Sequence, residues 1–149
     1  MKVYRSIEDV PAGTGSSAVA IGKFDGVHAG HRRVIAELLA RAEERGLTPT
    51  AVTFDRHPLA LLNPEACPVP LVSNDQKLEL LAQTGLEATL MLTFDLALSS
   101  LSPREFVQSI LVDTLDARLV MVGSDFRFGS RGSGTVETLV DLGTQFEPG

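Results

Sequence analysis

The spacing of apolar positions changes several times along the chain, and each change marks an element. Residues 17–21 (SAVAI) form a short apolar run that stops at Gly22, the pattern of a buried strand. From 30 to 45, Val34, Ile35, Leu38, Leu39 and Ala42 recur at helical spacing, and Gly46 is the expected stop. Residues 50–54 (TAVTF) are β-branched and aromatic, a second strand. Residues 58–70 hold prolines at 58, 64, 68 and 70 and read as an irregular loop. Residues 74–84 are helical, with Leu78, Leu81 and Ala82 inward and Gly85 as stop, and 88–94 form a third strand. Ser102-Pro103-Arg104-Glu105 is a capping box with proline at the first helical position. Phe106, Val107, Ile110, Leu111 and Leu115 then supply an apolar face. Residues 118–122 (RLVMV) read as a fourth strand, 129–134 as a glycine-rich loop and 135–142 as a last short helix. Strand and helix alternate four times, which predicts an α/β fold: an open parallel sheet with helices on both faces.

Composition narrows the class. The 149 residues, 44% hydrophobic and 21% charged, suit one globular domain with its own core, and no internal repeat or second domain is visible. The single cysteine, Cys67, cannot form an internal disulfide, which fits a reducing, cytoplasmic setting. The first ten residues have no apolar stretch of the signal-peptide kind, and no apolar run approaches the ~20 residues of a membrane span. The net charge of −6 argues against nucleic acid as a partner, since such binding normally needs a basic face.

Position changes that picture. In open parallel sheets, ligands bind beyond the carboxyl ends of the strands. The segments there hold all three histidines and six of the thirteen basic residues: Lys23, Arg32, Arg33, Arg56, Arg127 and Arg131. Four of the seven phenylalanines, Phe24, Phe54, Phe126 and Phe128, lie there or at the strand ends. An acidic chain has gathered its cations and aromatics on one predicted rim, which suits a phosphorylated aromatic ligand. Gly22 and Gly26 permit close backbone approach, and His28 and His31 lie three apart where a helix opens. A helix start offers free N–H groups and a positive partial charge to a phosphate. No Walker A pattern is present.

Residues 22–31, Gly-Lys-Phe-Asp-Gly-Val-His-Ala-Gly-His, contain the HxGH signature of the nucleotidylyltransferase superfamily. The wider string resembles the adenylyltransferase (FAD synthetase) module of bacterial bifunctional riboflavin kinase/FMN adenylyltransferases. Residues 52–58 (VTFDRHP) and 123–129 (GSDFRFG) are similar to the second and third motifs of that family. The resemblance covers nearly the whole chain and implies a Rossmann-like, HUP-like fold. It implies transfer of AMP from ATP to FMN with Mg²⁺, giving FAD and pyrophosphate. By the same resemblance, His28 and His31 contact ATP phosphates and stabilise the transition state. Gly22, Phe24, Asp25, Gly26 and Gly30 shape the nucleotide pocket. Phe54, His57, Pro58, Asp125, Phe126, Arg127 and Phe128 are the flavin-side candidates, and whether Asp25 meets a metal is left open. The family's second nucleotide motif, resembling Ser-Ser-Thr-any-Ile-Arg, and its riboflavin kinase domain do not occur in residues 1–149. Ser133-Gly134-Thr135 lacks the following Ile-Arg. The expectation is therefore a module short of its C-terminal part, without riboflavin kinase activity. The alternatives are a flavin- and nucleotide-binding fragment with little turnover, or an HxGH adenylyltransferase with another phosphorylated acceptor.

Plainer readings stand beside these. His28 and His31 are also what a polar helix start looks like, or two ligands of a zinc site with Asp25 or His57 nearby. Phe126 and Phe128 alternate as in an edge strand. His57 is held extended by Pro58. Arg127 and Arg131 fit a solvated loop. Lys77 reads as a solvated helix position, and Cys67 has no basic neighbour to activate it.

Overall fold

The computed structural model describes residues 1–11, 15–24, 29–55, 65, 73–122 and 134. The expected elements at 129–134 and 135–142 and the loop at 58–70 lie outside these residues, apart from Glu65 and Gly134. The strands are β1 (Lys2–Tyr4), β2 (Ser17–Ile21), β3 (Thr48–Phe54), β4 (Ala88–Leu92) and β5 (Ala117–Val122). The helices are α1 (Ala29–Arg45), α2 (Asn74–Ala82), the single turn α3 (Leu96–Ser99) and α4 (Pro103–Phe106). Wider π turns continue α4 over Val107–Val112.

All strand pairings in the sheet are parallel, in the order β1-β4-β3-β2-β5. From β2 the chain steps through β3 to β4 on one side, then crosses back to place β5 on the other side of β2. The order reverses at β2, and such a reversal opens a crevice at the carboxyl ends of the strands.

Alternation along the strands divides the core into two layers. Val19, Ile21, Val52, Phe54, Leu90 and Leu92 point to one face, where Phe106, Val107, Ile110, Leu111 and Leu115 cover them. Ala18, Ala20 and Ala51 point to the other, against Ile35, Leu38 and Ala42 of α1 and Leu81 of α2. Small side chains on that face leave room for the α1 leucines. Helices on both faces were expected from the alternation of elements, and the two clusters show them.

Local signals place the boundaries well. Gly46 has φ of +65°, a left-handed stop that a Cβ would strain. The Ser102 hydroxyl accepts from the Glu105 backbone N–H at 3.1 Å, and the Glu105 carboxylate accepts from the Ser102 N–H at 3.1 Å. The expected capping box is thus formed. Ser73 and Gln76 form a second one at the start of α2.

Other boundaries moved. The second strand starts at Thr48 rather than Thr50 because Pro49, near the strand start, needs no donor there. The strand expected over 88–94 ends at Leu92. Beyond it the Phe94 N–H turns to the Asp55 carboxylate at 3.0 Å, and its ring meets Phe54 edge-on. Strand β1 escaped the pattern because it is three residues long and two of them are exposed.

Asp116 links the last turn before β5 to the start of β2. It has φ of +46°, and its carboxylate accepts from the Ser16 hydroxyl at 2.7 Å and pairs with Arg118 at 3.2 Å. The Ser16 hydrogen bond, with help from the Arg118 charge, holds this carboxyl below the ordinary aspartate range despite the opposing effect of desolvation. A folded-state pKa below the unfolded one adds stability at pH above the unfolded value, and that stability is lost as pH falls through the folded value. Replacing Ser16 by alanine is expected to move the Asp116 titration back up toward the ordinary range. Carboxyl NMR titration of both proteins checks this, and an unchanged midpoint counts against the hydroxyl as the cause.

Candidate functional site

Three strand ends meet at the switch point. Ile21 of β2 lies in register with Val52 of β3 on one side and Val122 of β5 on the other. The segments that leave these strands therefore start side by side. They are the segments that carry the three motifs.

The turn after β2 is described as far as Phe24. The Gly22 N–H donates to the Val52 carbonyl at 3.1 Å, which extends the ladder by one bond. A Cβ on Gly22 would meet the Phe24 ring at 3.3 Å, so glycine is the residue that lets the ring fold back over the turn. Phe24 itself has φ of +52° and is only 2% exposed, packed in the cluster that contains Ile35 and Leu38. A bulky residue at positive φ is strained backbone, and such strain persists where the surroundings over-determine it. Here the buried ring supplies that constraint. The ring of Phe24, a residue expected at the nucleotide pocket, thus also anchors the turn in the core.

Asp25, Gly26 and His28 lie outside the described residues. Gly30 and His31 fall within the first turn of α1, whose backbone begins at Ala29. A 17-residue helix directs its free N–H groups and positive dipole end toward the carboxyl side of the sheet. The helix expected from residue 30 thus starts one residue earlier, at Ala29.

The turn after β3 is described as far as Asp55. Phe54 is 7% exposed and stacks edge-on with Phe94, ring centroids 6.0 Å apart. It is therefore a core residue at the strand end. The Asp55 N–H donates to the Leu92 carbonyl, its carboxylate accepts from the Phe94 N–H, and its carbonyl accepts from the Asn74 side chain at 2.8 Å. His57, Pro58, Asp125, Phe126, Arg127 and Phe128 lie outside the described residues.

Lys77 corrects an expectation. It reads as a solvated helix position, yet it is 6% exposed. Its ammonium donates to the Phe54 carbonyl at 2.8 Å and to Thr53 Oγ1 at 3.4 Å. The side chain spans from α2 to the end of β3 because the strand leaves oxygen acceptors there, which compensate for the loss of water. Sequence reasoning missed it; a lone lysine on a short amphipathic helix carries no signal of its partner.

Among the described residues no group of three or more His, Cys, Asp or Glu is placed to hold a metal ion. A groove of about 230 Å³ between α1 and α2 is lined by Arg32, Ile35, Leu39, Leu80 and Thr84 among others, and by none of the site residues read from the motifs. No helix among the described residues is long and apolar enough to cross a membrane.

Comparison with known proteins points to one family. The family model described as FAD synthetase matches residues 11–148. A protein of Buchnera aphidicola subsp. Schizaphis graminum named bifunctional riboflavin kinase/FMN adenylyltransferase is 32% identical over 146 residues, covering 98% of this chain and 47% of its own. Proteins of the same name from Bacillus subtilis (36% identical over 126 residues, 84% of this chain and 40% of the relative) and Escherichia coli K12 (32% over 147 residues, 98% and 47%) match as well. The chain spans about half the length of the curated relatives it matches. A solved structure titled as a macrolide-efflux protein from Streptococcus pneumoniae superposes with a TM-score of 0.79 at 26% identity, over 94% of this chain and 46% of that one. The fold is thus the Rossmann-like one of nucleotidyltransferases. The chain belongs to the FAD synthetase family.

Proposed function

We propose that the chain is an FMN adenylyltransferase module, which transfers AMP from ATP to FMN and yields FAD and pyrophosphate. The observation that supports this reading is that β2, β3 and β5, the strands from which the three motif-bearing segments leave, end side by side at one switch point. A phosphate oxygen of FMN forms a bond to the α-phosphorus of ATP while the bond from that phosphorus to the bridging oxygen breaks. Pyrophosphate then leaves. ATP enters as its Mg²⁺ complex, so the cation arrives with the substrate.

The protein's share is positioning and charge stabilisation. The N–H groups at the start of α1 offer donors to the triphosphate. His28 and His31 are the residues we assign to the phosphoryl group in transfer. Gly22, Asp25, Gly26 and Gly30 shape the nucleotide side, with Phe24 holding the turn from below. His57, Pro58, Asp125, Phe126, Arg127 and Phe128 remain the flavin-side candidates, with Phe54 behind them. A riboflavin kinase partner domain, as the relatives' name describes, belongs to the same proposal. So do a cytoplasmic location and the absence of nucleic acid as a partner.

The test is incubation of the folded chain with FMN, ATP and Mg²⁺, with FAD and pyrophosphate separated chromatographically. Equimolar FAD and pyrophosphate are expected. A folded chain that makes neither counts against the reading. Calorimetry with FMN and with ATP separately then tells a binding module from an inert one. Competition by pantetheine phosphate or nicotinamide mononucleotide tests for a different acceptor.

A further inference from the structure

Lys77 and Thr53 form a buried relay between α2 and the turn that follows β2. Thr53 is fully buried, and alternation along β3 puts it on the same face as Ala51, toward α1 and α2. Its hydroxyl donates to the Lys23 carbonyl at 3.0 Å. A threonine hydroxyl has one proton, so toward Lys77 it acts as acceptor, and the ammonium donates to it at 3.4 Å. The same ammonium donates to the Phe54 carbonyl at 2.8 Å. One side chain on α2 therefore holds the backbone at the carboxyl end of β3 and, through Thr53, the backbone immediately after β2.

The residues on either side of the Lys23 carbonyl show why it needs holding. Gly22 is tied to Val52 through its N–H. Phe24 has the strained φ of +52° with its ring buried. The turn is thus pinned at three consecutive residues: by the ladder, by the Thr53 hydroxyl and by a core ring. It leads directly into residues 25–28 and the start of α1. A buried ammonium is an expensive way to fill a core position, since an apolar side chain of that size carries no desolvation cost. Its placement under two strand ends that lead into motif segments is what distinguishes it from packing.

We propose that Lys77 and Thr53 are positioning residues for the nucleotide side of the site, setting the path of the turn at 22–24 that delivers the HxGH segment. The kinetic form of this proposal rests on the adenylyltransferase reading; its conformational form does not. Thr53→Val removes the hydroxyl at nearly constant volume, and Thr53→Ser restores it. Thr53→Val is expected to raise KM for ATP about tenfold, the scale of one hydrogen bond, with KM for FMN within about twofold. Thr53→Ser is expected to recover most of that loss. Lys77→Met is expected to follow Thr53→Val. If Lys77→Met does not fold, Lys77→Arg takes its place, with a smaller rise in the same direction expected because its charge is kept.

Amide hydrogen exchange over residues 20–24, measured without substrates, is the readout that needs no turnover. Faster exchange in Thr53→Val that Thr53→Ser reverses supports the relay even if the unsubstituted chain makes no FAD, a failure that would fall on the functional reading alone. Three results overturn the proposal: exchange unchanged in Thr53→Val, equal rises in KM for both substrates, or a Thr53→Ser variant as impaired as Thr53→Val.

Discussion

Replacing His31 by alanine, or His28 by alanine, is expected to lower kcat by about 10²- to 10³-fold while FMN affinity changes little. Removing one donor from a preorganised site for developing negative charge typically costs about 3 to 4 kcal/mol, and that is the role assigned to these imidazoles. The two substitutions are expected to be less than additive, because both groups act on one phosphoryl centre. Steady-state kinetics for both substrates, with FMN binding by calorimetry, separates the cases. Equal losses in turnover and in FMN affinity would contradict a transition-state role. Arg41→Ala is a suitable control. Arg41 lies on the exposed side of α1, paired one turn back with Glu37 at 2.9 Å, and such pairs contribute little.

Leu38→Ala is expected to be the most destabilising of the changes considered, costing about 3 kcal/mol within the usual range of about 2 to 5 for a buried leucine. Leu38 is fully buried, in a layer where the buried apolar strand side chains are Ala18, Ala20 and Ala51, with partly buried Leu119 and Met121 packed against them. Small neighbours on a rigid sheet cannot lean in to fill the space, so a cavity remains. The melting temperature should fall by roughly 6 to 12 °C for a chain of this size. Urea unfolding with an unchanged slope checks that the loss is one of stability rather than of two-state behaviour. A loss below about 1 kcal/mol would mean that α1 relaxes toward the sheet, contrary to the close packing described here.

The two expectations concern the start and the middle of one element. α1 is legible in the chain because its apolar residues recur at helical spacing and Gly46 stops it, and both signals are local. The same holds for the capping box at Ser102 and for the strands rich in β-branched residues. The motifs at 22–31, 52–58 and 123–129 were legible for a related reason, since each sits within ten residues of a strand end. That the strands they follow end side by side needed the sheet order as well. That order depends on which strand pairs with which, and no local period records it.

Other features were not legible. Three-residue β1 is too short to show a period and pairs with β4, more than eighty residues away. Phe24 and Phe54 stand beside motif residues, and nothing local in the sequence tells how deeply their rings are buried. The fold buries both, since a ring at a strand end is drawn into whichever layer it can close. Lys77 looked solvated because its helix is polar on most sides. Its ammonium finds acceptors on Thr53 and Phe54, about two dozen residues earlier in the chain.

By itself, then, the sequence determined the alternation of strand and helix, the caps and stops, and the segments that resemble the family's motifs. All of these follow from interactions within a few residues. Only the tertiary structure decided the strand order, the anchoring role of Phe24 and the burial of Lys77. Each of these is set by contacts between residues far apart in the chain, where packing and the need to satisfy buried polar groups override local preference.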